Sequence, residues 1–76
     1  MHLLTIVYKL TSYANKLFEI DCPQLGIYIQ SDSRDDIIKK MTKEFASYFD
    51  IADVKVLDSE QDKDVITHNI LLTVAR

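Results

Sequence analysis

The chain has one proline and one glycine, and they stand three positions apart in Cys22-Pro23-Gln24-Leu25-Gly26. Proline has no backbone N–H to give a sheet ladder, so it ends a strand or sits at a bulge. Glycine enters the left-handed backbone region that other residues avoid. A chain that concentrates both here can reverse sharply here, and must turn everywhere else with ordinary residues. The flanks agree. Phe18, Ile20 and Cys22 alternate with Glu19 and Asp21 before the segment, and Ile27 to Gln30 forms a short apolar run after it. Period-two alternation is the mark of a half-buried strand. Pro-Gln-Leu-Gly is therefore predicted to turn one strand into the next.

Leu4, Ile6, Tyr8 and Leu10 also alternate, which predicts a first strand over residues 2–10. The polar residues 11–15 then form a hairpin turn, with Asn15 as the expected left-handed residue. At Ser33 the period changes. Ser33 and Asp36 fit a capping box, and Asp35 and Asp36 lie where the helix dipole favours negative charge. Ile37, Ile38, Met41, Phe45, Tyr48 and Phe49 follow at helical spacing, with Lys39, Lys40, Lys43 and Glu44 on the other side. This predicts a helix over residues 34–49, its apolar side packed as core. Val54 to Leu57 can form a short strand, residues 58–64 read as a charged surface loop, and Ile66, His68, Ile70, Leu72 and Val74 alternate through a long final strand. The expected fold is α+β in the order β-β-β-α-β(-β), an antiparallel-rich sheet with one helix on one face. It forms a single domain over residues 1–76.

A domain of 76 residues buries only about 60% of its unfolded surface, so self-association as a homodimer or larger homo-oligomer is a natural remedy. Sheet edges left exposed point the same way. The balance of 9 basic against 12 acidic residues argues against nucleic acid as the main partner, because phosphate contacts need clustered Lys or Arg. Lys39, Lys40 and Lys43 are the one candidate basic cluster, and they read as a solvated helix face. A single cysteine builds no internal disulfide and fits a reducing cytoplasm. No basic leader precedes the first strand, and no apolar run approaches the roughly 18 residues of a membrane span.

No catalytic constellation stands out. Glu19 and Asp21 share a strand face and could in principle share a metal, yet strand alternation produces the same pattern. The acidic run Asp58, Glu60, Asp62, Asp64 lacks the glycine of a calcium loop. Cys22 falls on the apolar side with Phe18 and Ile20 and reads as an inert core thiol. His68 shares a face with Ile66 and Ile70 and reads as a structural histidine. One glycine cannot make a phosphate-binding loop. The expectation is a chain without enzyme activity, metal or cofactor. Tyr28 and Gln30 face away from Ile27 and Ile29, and with Glu19 and Asp21 they are the candidates for a protein contact surface.

The element order, with Pro23, Leu25 and Gly26 between two strands and Gln30, Asp32, Ser33, Asp35 and Asp36 leading into the helix, resembles the HicB-like antitoxin domain. The likeness covers residues 3–50. Gln24 stands where that family carries aspartate, a second proline is missing after Leu25, and Ser31 replaces a second glycine. The resemblance implies a partial ribonuclease H-like sheet carrying one helix. It also implies a non-catalytic partner that binds and neutralises a small basic toxin, a ribonuclease that cleaves messenger RNA. Many members add a C-terminal DNA-binding segment; the expectation for this chain is toxin binding alone, without DNA-linked autorepression. The competing expectations are a metal-dependent nuclease on the same scaffold, and an acidic phage or plasmid protein with another protein target.

Overall fold

The computed structural model describes residues 2–75. Its elements in chain order are β1 (Leu3–Ser12), β2 (Phe18–Cys22), β3 (Ile27–Ser31), α1 (Arg34–Ala46), β4 (Asp50–Asp62) and β5 (Val65–Ala75). The five strands form one antiparallel sheet in the order β3-β2-β1-β5-β4. The α+β layout and the order β-β-β-α-β-β are as the sequence predicts. β1 and β5 form the central pair, in register from Leu3 opposite Ala75 to Ser12 opposite Ile66. α1 packs across one face of this sheet.

Alternation decides which side chains meet the helix. Ile6, Tyr8 and Leu10 of β1, Ile20 and Cys22 of β2, and Ile70, Leu72 and Val74 of β5 form the buried side of the sheet. From α1 come Ile37, Met41 and Phe45, spaced four residues apart on one stripe. Phe45 is fully buried and its ring lies 5.8 Å from that of Tyr8. Burial pushes the Tyr8 hydroxyl up to about 12, with the nearby Cys22 thiol adding to it.

Four details depart from the sequence expectation. α1 ends at Ala46, not at Phe49, because the last turn tightens: Tyr48 N–H donates to Phe45 C=O at 3.1 Å. That swings Phe49 toward the core and leaves Tyr48 62% exposed, and Ile38 is exposed as well, so neither belongs to the packed stripe that the spacing predicts. Residues 58–62 are strand, not loop, and β4 runs 13 residues to a two-residue turn at Lys63 and Asp64. Polar side chains are tolerated there because the far half of the β4–β5 hairpin extends beyond the helix and both faces meet water. Pairs such as Asn69 with Asp58, whose amide donates to the carboxylate, link the strands. In the first hairpin β1 continues to Ser12, and Lys16 rather than Asn15 takes the left-handed conformation, at φ 64°. Lys16 N–H donates to Tyr13 C=O at 3.1 Å, so Asn15 lies inside the turn and the left-handed residue follows it.

Candidate functional site

The lone proline and glycine make the predicted turn. Leu25 N–H donates to Cys22 C=O and Gly26 N–H to Pro23 C=O, both at 3.2 Å, and Gly26 sits at φ +66°. Gln24 has a role that its sequence position did not reveal: its Oε1 accepts from Val7 N–H at 2.8 Å. β2 pairs with β1 only from Lys9 to Ser12, so the amide edge of β1 is uncovered beyond Pro23. The Gln24 side chain satisfies the first N–H there. Leu25 is partly exposed on this turn.

The turn sets β3 against β2 so that Glu19 faces Gln30 and Asp21 faces Tyr28. These four residues are therefore brought together, on the sheet face opposite the helix. Glu19 is the centre of the patch. Tyr13 O–H donates to its Oε2 at 3.0 Å, and Gln30 Nε2 donates to its Oε1 at 3.3 Å. The carboxylate, as an acceptor, raises the hydroxyl pKa of Tyr13 and also that of Tyr28. For Tyr28 this is proximity rather than a fixed bond, since the hydroxyl that donates to Glu19 is that of Tyr13. Tyr28 is 57% exposed. Tyr13 belongs to this cluster but lies in the first hairpin turn, where sequence spacing gave no reason to place it beside Glu19.

Register extends the patch across all five strands. One row runs Gln30, Glu19, Thr11, Thr67, Glu60, and the next runs Tyr28, Asp21, Lys9, Asn69, Asp58. Asp50, Asp53 and Asp62 of β4 point the same way, opposite Ala75, Thr73 and Val65. Seven of the chain's 12 acidic residues thus lie on this open face, against two lysines, Lys9 and Lys55. In its middle Val7, 41% exposed, pairs with the half-buried Leu71. The cations Arg34, Lys39, Lys40 and Lys43 sit on the helix, across the sheet from it. The open face is therefore strongly acidic, whereas the helix, where Asp35, Asp36 and Glu44 offset most of its cations, is nearly neutral.

The residues leading into α1 serve the cap. Asp32 is exposed in the bend, and Ser33 at the N-cap accepts from Asp36 N–H at 3.3 Å. The reciprocal bond of the capping box is relayed. Ser33 N–H donates to Ser31 Oγ at 3.2 Å, and Ser31 O–H donates to Asp36 Oδ2 at 2.7 Å. Lys40 Nζ lies 3.0 Å from the same Asp36 oxygen. The Ser31 hydroxyl first, and Lys40 second, hold the Asp36 carboxyl below its ordinary value.

Cys22 is fully buried, and burial raises its thiol pKa. His68 is half-buried, with Nδ1 2.6 Å from the Ser59 hydroxyl directly across the β4–β5 ladder. Among the described residues no three His, Cys, Asp or Glu side chains converge on a common point that could hold a metal ion. None of the described helices is long and apolar enough to cross a membrane. No family model, curated protein or solved structure matches the chain.

Proposed function

We propose that this chain is a non-catalytic protein-binding module of the HicB-like antitoxin kind, which neutralises a small basic ribonuclease in the cytoplasm. The observation that carries the reading is the open sheet face. It carries two carboxylates on β2 and five on β4, flanking the exposed Val7 of β1, with the exposed Tyr28 at its β3 margin and no helix over them. A polar, charged rim around an apolar and aromatic centre is the usual anatomy of a protein interface. The sign of the charge selects a basic partner, and the same sign repels phosphate, so the module would bind the nuclease rather than its RNA.

In this account the carboxylates guide encounter and the apolar side chains hold the complex. Reversing Glu19 and Asp21 to lysine then slows association, an effect that weakens as salt screens the field. Truncating Tyr28 to alanine speeds dissociation instead. The test is co-expression with the product of the adjacent gene, followed by co-purification on a tag carried by one partner. Recovery of a stable complex with a small basic protein, weakened by Glu19→Lys with Asp21→Lys, supports the reading. Recovery of this chain alone, or of a complex indifferent to those changes, counts against it.

A further inference from the structure

The sheet has three stretches of unpaired backbone, and they differ in how they are protected. β4 is a terminal strand, but two register shifts, between Ile51 and Asp53 and between Val56 and Asp58, interrupt it. Bulges and a row of carboxylates are the usual devices that keep an edge from pairing. The free stretch of β1 is narrowed by Gln24, whose side chain occupies the Val7 N–H. β3 has neither protection. It is the other terminal strand, in unbroken register with β2 over all five residues from Ile27 to Ser31.

Beside that edge the helix forms a wall. Lys40, Lys43, Glu44 and Ser47 of α1 line a groove of about 390 Å³ with Ile29 of β3. Lys40 is held by Asp36, whereas Lys43 has no ion-pair partner among the described residues. A strand added to β3 would send alternate side chains to opposite sides of the sheet. One set would enter the groove, over Ile29 and against Lys40 and Lys43. The other would lie beside Tyr28 and Gln30 on the open face. We infer that the β3 edge and the α1 groove form a strand-addition site for an extended segment of a partner protein, with acidic residues at every second position. Main-chain hydrogen bonds to β3 supply affinity, and Lys43, the groove cation without an ion-pair partner among the described residues, selects the charge. This site adjoins the sheet face proposed for the basic partner at Tyr28 and Gln30, but its groove side lies across the sheet from that face.

The probe is a fluorescein-labelled, end-blocked peptide of alternating glutamate and valine, eight residues long, compared with its lysine–valine counterpart. Anisotropy reads affinity, and the backbone amide resonances of the isotope-labelled protein read location. The expected result is saturable one-to-one binding of the glutamate peptide, with shifts and slowed amide exchange across Ile27–Ser31. Lys43→Glu should weaken it about tenfold, and more at low salt, because it replaces an attraction with a repulsion. Lys43 is exposed, and only its backbone carbonyl serves the C-cap, so the variant should fold, and an unchanged circular dichroism spectrum verifies this. Equal binding of the lysine peptide, shifts confined to β4, absence of saturation, or full displacement by inorganic phosphate at matched ionic strength would each overturn the inference. The last would mark a simple anion site.

Discussion

Gly26 lets one backbone term be isolated. Its φ is +66°, and a methyl group built on its Cα meets nothing within 4 Å. Substitution there has no packing cost, only the strain of placing an L-residue in the left-handed region. That strain is about 1–2 kcal/mol, and reduced freedom of the unfolded chain offsets part of it, leaving about 1 kcal/mol for Gly26→Ala. Gly26→Val should cost more, up to about 3 kcal/mol, because β-branching tightens the restriction. Gly26→Asn should cost least, since asparagine tolerates this conformation. In a chain of this size about 1 kcal/mol lowers Tm by roughly 4–8 °C. The reciprocal changes sharpen the case. Lys16 and Lys63 sit at φ 64° and 55°, so Lys16→Gly and Lys63→Gly should each raise the midpoint. Urea titrations and thermal scans followed by circular dichroism provide the values. If alanine matches glycine at position 26, or asparagine is as poor as valine, the left-handed assignment is wrong.

Phe45→Ala empties the centre of the core and should cost about 3–5 kcal/mol, enough to unfold much of a marginal domain at 37 °C, as a loss of cooperative melting would report. Asp36 has a lowered carboxyl pKa, so its contribution is present above the unfolded value of 3.8 and lost as pH falls through the folded value. The stability gap between the protein and Asp36→Asn should therefore be full at pH 6–7 and close below about pH 4, measured by urea midpoints. Glu19→Gln replaces the charged carboxylate that raises two phenols with a neutral, weaker acceptor, so nuclear magnetic resonance titration should show Tyr13 and Tyr28 ionising at lower pH while Tyr8 stays near 12. An unmoved Tyr13 would dissolve the Glu19 cluster.

Much of this fold is legible because each strand but one has a single dry side. The alternation in β1, β2 and β5 names the buried residues directly, and the break in period at Ser33 places the helix start. β4 was hard to read for a physical reason. Its far half has water on both faces, so Asp58 to Asp62 carries no apolar signal and looks like a loop, although backbone pairing with β5 makes it a strand. The helix end was also hidden, since Tyr48 and Phe49 continue the helical spacing while a tightened last turn sends only Phe49 inward. The four proposed contact residues could be grouped from strand parity alone. Parity could not show that Tyr13 reaches Glu19 from a turn, or that β4 adds five carboxylates to the same face, because both depend on which strands are neighbours. Ser31 and Gln24, read as departures from a motif, turn out to complete the helix cap and to close a strand edge.

The account rests on the open acidic face neutralising a basic ribonuclease. The direct measurement is an RNA-cleavage assay in which the purified product of the neighbouring gene is titrated with this protein, alone and as Glu19→Lys with Asp21→Lys. The account predicts that cleavage falls linearly to zero at one equivalent and that the double variant inhibits with slower onset, most visibly at low salt. It also predicts that the protein by itself neither cuts nor shifts RNA. Full cleavage persisting at equimolar protein, or retardation of RNA by this chain alone, would contradict it.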